Sequence, residues 1–148
     1  VHVHEVIQDV VDNFTLQLEE KKGRVELQLN AQTDLVNADE VHFSNLVNNL
    51  VENAIKYSSK DTLVTAVLKK DKTRTALRIM DEGPGIPDEE KKKIFTRFYR
   101  IGNEATRKKQ GTGLGLYLCR IIAHGHNADI SVTNNDPAGS IFTVVFRI

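Results

Sequence analysis

Apolar residues between about Val3 and Glu20 fall at helical spacing, with Val6, Val10, Val11, Phe14 and Leu18 on one stripe, and predict an amphipathic helix ending near Gly23. Arg24 to Asn30 alternates apolar with polar residues, as a half-buried strand does. A polar link from Ala31 to Ala38 leads to Asp39, an N-cap for a second helix over about Glu40 to Tyr57. A 100° step per residue puts Phe43, Leu46, Val47, Leu50 and Ala54 on one broad face of that helix, and Asn45, Asn49, Glu52, Asn53 and Lys56 on the opposite one. Strands follow at about Thr62 to Lys69 and Arg74 to Met80, joined by the polar turn Lys70-Asp71-Lys72-Thr73.

Asp81-Glu82-Gly83-Pro84-Gly85-Ile86 comes directly after the strand, and a short helix then runs to Ile94. The stretch Ile101 to Gln110, poor in apolar residues, reads as a mobile loop. Gly111-Thr112-Gly113-Leu114-Gly115-Leu116 opens a third long helix, with Leu118, Ile121 and Ile122 expected on its apolar side. Two closing strands, about Asp129 to Thr133 and Ser140 to Arg147, flank the turn Asn134 to Gly139. Helices separate the first strands and hairpins join the later ones. The expected fold is therefore α+β, a two-layer sandwich with a mixed sheet of about five strands covered on one face by three main helices.

Composition adjusts this picture only slightly. With 148 residues, 40% hydrophobic and 27% charged, the chain reads as one globular domain spanning 1–148. Lys+Arg and Asp+Glu are both 20, so no overall basic field draws it onto nucleic acid or anionic lipid. Its one cysteine, Cys119, lies in an apolar helical run and is expected to be buried. No apolar run approaches the roughly 20 residues of a membrane helix. The first residue is Val1, and we read the chain as a segment of a longer protein.

Three stretches carry chemistry. Asparagine disfavours helix by roughly half a kcal/mol against alanine, yet Asn45, Asn48, Asn49 and Asn53 all stand in one helix. Asn49 and Asn53, one turn apart, offer oxygens of the kind Mg²⁺ accepts while phosphate and water complete its octahedron. Lys56, a further turn along, would neutralise phosphate. Glycines at a helix start leave N–H groups free at the positive end of the dipole, so Gly111 to Leu116 suits phosphate. It lacks the Gly-Lys-Ser/Thr ending of a Walker loop, and Leu116 stands where a dinucleotide fingerprint needs glycine. The third stretch, Asp81 to Ile86, plants a carboxylate at a strand end beside two glycines that permit close approach to the backbone. Taken alone it is as compatible with a plain turn.

Together these stretches resemble the boxes of sensor histidine kinases, in the right order and over nearly the whole chain. Asn49-Leu50-Val51-Glu52-Asn53-Ala54-Ile55-Lys56-Tyr57-Ser58 resembles their N box. Asp81-x-Gly83-x-Gly85-Ile86 is similar to the first glycine box, Ile94-Phe95-x-x-Phe98-Tyr99-Arg100 to the F box, and Gly111 to Leu116 to the second glycine box. The resemblance implies the Bergerat ATP-binding sandwich, with ATP and Mg²⁺ as cofactors. Asp81 would accept from the adenine amino group, Tyr57 and Ile86 would pack near the ring, and Gly83 and Gly85 would let the base lie close. Asn53 would hold Mg²⁺, and Asn49 and Lys56 would contact phosphate. Tyr99 stands beside Arg100, which would meet the γ-phosphate as charge develops. Ile101 to Gln110 would form a lid hinged at Gly111 and Gly113, with Gln110, Thr112, Leu114, Gly115 and Leu116 completing the nucleotide site.

Hydrolysing relatives place a glutamate, the general base, where Asn49 stands. The resemblance thus implies phosphoryl transfer to a protein histidine rather than ATP hydrolysis. The acceptor pattern His-Glu-x-x-Thr-Pro is absent, because His4-Glu5 continues as Val6-Ile7-Gln8-Asp9. The implied partners are therefore the kinase's own dimerisation and phosphoacceptor domain, in cis or trans, and a response regulator, with neither nucleic acid nor membrane contacted by this segment. The implied setting is the cytoplasmic side of a membrane-anchored receptor. Two other readings keep the fold: a nucleotide-sensing module without phosphotransfer, and a serine-directed kinase. Gly125-His126-Asn127-Ala128 departs from the family, which commonly has a second glycine there, and Asn127 is expected to take the left-handed conformation.

Overall fold

Hydrophobic alternation and helical stripes assemble into two layers. The structure is a computed structural model and describes residues 2–29, 36–56, 63–71, 73–96 and 115–147. Its elements are α1 (Val3–Asn13), α2 (Thr15–Glu20), β1 (Arg24–Leu29), α3 (Glu40–Lys56), β2 (Leu63–Lys70), β3 (Arg74–Met80), a 3₁₀ turn (Asp88–Glu90), α4 (Gly115–Gly125), β4 (Ala128–Asn134) and β5 (Ser140–Arg147). The strands form one five-stranded sheet in the order β1-β2-β3-β5-β4. Only β1 and β2 pair in parallel, as their connection through α3 requires, and the other neighbours are antiparallel.

Register lines up the apolar residues of one sheet face: Ala66 opposes Ile79, Leu68 opposes Leu77, Ile79 opposes Phe142 and Leu77 opposes Val144. All of these are buried, together with Phe43, Leu46, Val47, Leu50 and Ala54 of α3. Phe43 meets Phe146 with ring centroids 5.5 Å apart, joining the helix layer to β5. The α3 stripe is thus buried as its periodicity predicts, and α3 packs between α1 and α4.

Four local features differ from the sequence reading or sharpen it. The first helix breaks at Phe14, where Thr15 Oγ1 bonds the Asp12 carbonyl at 2.8 Å and competes with the backbone ladder. The break still buries both Phe14 and Leu18. Termination after α2 falls on Lys22, at φ 52°, while Gly23 N–H closes the turn onto the Leu18 carbonyl at 2.8 Å. The short helix after Pro87 contracts to the 3₁₀ turn, in line with the i→i+3 bonds of Lys93 and Thr96. Finally, the buried line of α4 is Cys119 and Ala123, with Leu116 and Ile122 partly buried, while Leu118 and Ile121 are exposed. Small side chains won that face because α4 approaches α3 closely, Cys119 Sγ lying 3.8 Å from the Leu46 carbonyl.

Two other expectations hold. Asp39 caps α3 through His42 N–H at 2.9 Å, and its own N–H donates to His126 Nε2 at 3.1 Å, tying the start of α3 to the end of α4. Asn127 is left-handed at φ 54°.

Candidate functional site

Asp81 stands where β3 leaves the sheet. Its N–H still donates to the Ser140 carbonyl at 2.9 Å, which holds the chain in register with the first residue of β5. The side chain then turns inward, and the residue is only 6% exposed. Oδ1 accepts from Gly83 N–H at 3.0 Å and from Ser140 N–H at 3.1 Å. Among the described residues nothing donates to Oδ2. Among these residues one oxygen is therefore fixed by two backbone amides, and the other keeps its acceptor capacity. Burial pushes the Asp81 carboxyl above the ordinary range, against the two amide bonds, which favour the ionised form.

A clamp from the β4–β5 turn fixes this arrangement. Asn135 Nδ2 donates to the Asp81 carbonyl at 2.8 Å, and Asn135 N–H donates to the Gly139 carbonyl at 2.9 Å. Gly139, at φ 110°, lies so close that a Cβ on it would fall 2.0 Å from the Asp81 carbonyl oxygen. Gly85, at φ 79°, faces the same residue, its Cβ position being 3.3 Å from the Gly139 carbonyl oxygen. Glu82 Oε1 accepts from Leu63 N–H at 3.0 Å and so holds the start of β2 beside Asp81. Sequence reasoning took Asn134 to Gly139 for a connecting turn and missed Asn135, Gly139 and Ser140. Nothing local in those residues points to a carboxylate some 60 positions earlier, and only the antiparallel pairing of β3 with β5 brings them there.

The asparagine stripe lies at another edge of the site. Asn49, Asn53 and Lys56 on α3 are all half-buried, whereas Asn45 and Glu52 are exposed. A Cβ built on Gly115 would lie 3.8 Å from Asn49 Oδ1, so the first residue of α4 is the direct neighbour of the asparagine. Burial pushes the Cys119 thiol up to about 12, with a hydrogen bond from the Asn49 side chain pulling the other way. Cys119 is thus a packing residue between α4 and α3.

The structure brings Asn49 together with Gly115 and Asp81 together with Gly83, and sets Gly85 against Gly139. Ile86 and Leu116 are partly buried against the core. Of the F box, Ile94 and Phe95 are buried, Phe95 meeting Phe142 edge-on at 6.1 Å. Tyr57, Tyr99, Arg100, Gln110, Gly111, Thr112, Gly113 and Leu114 lie outside the described residues, as does the 101–110 loop.

A family model described as histidine kinase-, DNA gyrase B-, and HSP90-like ATPase matches residues 38–148. Sensor protein RprX of Bacteroides fragilis is 30% identical over 147 residues, 98% of this chain and 28% of that protein. Sensor histidine kinase YkoH of Bacillus subtilis is 38% identical over 120 residues, 81% of this chain and 26% of that protein. The chain thus spans little more than a quarter of the length of these relatives. The nucleotide-free catalytic domain of histidine kinase ThkA superimposes with a TM-score of 0.86 at 27% identity, covering 99% of this chain and 94% of that one. The two-layer fold, the buried carboxylate and these likenesses agree: the chain belongs to the histidine kinase-, DNA gyrase B- and HSP90-like ATPase family, with the ATP binding that this membership implies, and its relatives are sensor histidine kinases.

Proposed function

We propose that this chain is the catalytic and ATP-binding domain of a two-component sensor histidine kinase. It binds Mg-ATP and passes the γ-phosphate to a histidine in the kinase's own dimerisation and phosphoacceptor domain, in cis or in trans, for onward transfer to a response regulator. The setting we infer is the cytoplasmic side of a membrane-anchored receptor; among the described residues, no helix is long and apolar enough to cross a membrane. The observation that carries the reading is the Asp81 carboxylate, buried with Oδ1 fixed by two backbone amides and with no donor to Oδ2 among the described residues. Such a group selects a ligand that brings its own hydrogen-bond donor, as the adenine amino group does.

Each group then has a task. Asp81 orients the base, Gly83 and Gly85 keep side chains out of its way, and Ile86 with Tyr57 packs on the ring. At the far end, the amide oxygens of Asn49 and Asn53 are hard, neutral donors, the type a hydrated magnesium ion accepts. Asn53 would hold that ion and Lys56 would meet phosphate. The ion held there would supply positive charge to offset that of the phosphates. The amides at the start of α4, with Gln110 to Leu114 and Arg100, would complete the cradle. In the transfer, a ring nitrogen of the acceptor histidine forms a P–N bond while the bond from the γ-phosphorus to the bridging oxygen breaks, and ADP leaves with the electron pair. Asn49 cannot take a proton from water, which supports transfer over hydrolysis.

The test is to combine the chain with its phosphoacceptor domain and supply γ-labelled ATP and Mg²⁺. Acid-labile label on a histidine is expected. Acid-stable label on serine, or release of inorganic phosphate without phosphoprotein, would contradict the proposal.

A further inference from the structure

The end of α3 is met by a residue from the turn that precedes β1. Lys21, half-buried in the turn after α2, sends its ammonium to the end of α3, where Nζ donates to the Ile55 carbonyl at 2.5 Å and to the Lys56 carbonyl at 3.2 Å. The turn closed by Lys22 and Gly23 places it there, and the buried Leu18 anchors that turn in the core.

We propose that Lys21 is a positioning residue for the phosphate-binding turn of α3. The inference rests on the reading above, in which Asn53 and Lys56 serve the magnesium and phosphate groups. Both side chains belong to the last described turn of α3, and helix-end carbonyls, which lack partners within the helix, mark where a helix frays most readily. Those carbonyls carry about half an elementary negative charge. A polyphosphate is thus being asked to bind near the unfavourable end of a helix dipole. A cation bonded to two of the carbonyls counters both difficulties: it holds the turn in helical geometry and offsets its negative end. Asp81, in a different part of the sheet, is not touched by this contact, so the two ends of the nucleotide should respond separately.

That separation supplies the experiment. Affinities for Mg-ATP and for adenosine are measured by calorimetry, well below the melting transition, for the wild type, Lys21→Met, Lys21→Arg, Asn53→Ala and the core variant Val10→Ala. Lys21→Met is expected to weaken Mg-ATP by about fivefold or more, to leave adenosine within about twofold, and to be rescued by Lys21→Arg. Val10→Ala removes buried volume from α1 and reports what loss of stability alone does; it should leave both affinities in place. Unchanged Mg-ATP affinity in Lys21→Met, parallel loss of ATP and adenosine, or an equal loss in Val10→Ala would overturn the role of Lys21. Unchanged Mg-ATP affinity in Asn53→Ala would instead overturn the phosphate site on α3 itself.

Discussion

Asp81→Asn is expected to keep the fold and lose about two orders of magnitude in ATP affinity. The two amides of Gly83 and Ser140 donate to Oδ1, so in the variant they hold the amide oxygen at that position and force the NH₂ group outward. A donor then faces the adenine amino group, itself a donor. The lost charge-assisted bond and the two unsatisfied donors together amount to about 3 kcal/mol. Folding should not suffer, because the variant keeps both amide bonds and no longer buries a charge. Calorimetric titration paired with thermal melting checks both halves, and retained ATP affinity in a folded variant would count against the assignment.

The pH dependence has a definite sign. The Asp81 carboxyl is raised above its ordinary value of 3.8, so the folded state holds this proton more tightly than the unfolded one. Its contribution to stability is full below that ordinary value and is lost as pH rises through the raised one, beyond which it stays flat. Binding through the proposed Asp81 contact is expected to run the other way. Below the raised value a proton on Oδ2 would turn the acceptor into a donor, and ATP affinity is expected to fall. Asp81→Asn should abolish both slopes, since it removes the titrating group.

The largest loss of stability is expected from Gly139→Ala, about 3 kcal/mol or more in chemical denaturation. A methyl group there would meet the Asp81 carbonyl oxygen at 2.0 Å and its carbon at 2.7 Å, both backbone atoms that no rotamer change can clear. The φ of 110° adds strain for any residue with a Cβ. Relief requires the β4–β5 turn to move away from Asp81, and that releases the Asn135 and Ser140 bonds together. Gly85→Ala is a useful comparison. Its nearest contact would be 3.3 Å, so the penalty comes mainly from φ and should be about 1–2 kcal/mol. A Gly139→Ala midpoint within about 0.5 kcal/mol of the wild type would mean that the close approach is not maintained in solution.

How much of this could be read from the residues depends on how far apart in sequence the interacting parts lie. Helix α3 was legible over Glu40–Lys56, because a 17-residue amphipathic pattern with an Asp cap is governed by local periodicity. The hairpins, the individual strands and the left-handed Asn127 follow from equally local rules. The break at Phe14 was not legible, since it turns on competition between one threonine hydroxyl and one ladder bond. Nor was the inner face of α4: Leu118 and Ile121 outrank Cys119 and Ala123 in hydrophobicity, but the spacing between α3 and α4 selects for size. Asp81 stood out as a carboxylate at a strand end, while its supports did not. Asn135, Gly139 and Ser140 reach it only through the pairing of β3 with β5, and Lys21 reaches α3 across 34 positions. The recognisable boxes carry the groups proposed to touch the nucleotide. The groups that hold them still are scattered through turns whose composition gives no sign of it.

At the centre of this account is a carboxylate, fixed by two backbone amides, that reads a purine by its exocyclic group. The most direct measurement is a side-by-side calorimetric titration of the wild-type chain with Mg-ATP and Mg-GTP. Guanine presents a carbonyl where adenine presents an amino group, so the account predicts ATP binding tighter by at least about a hundredfold. Comparable affinities for the two nucleotides would contradict it.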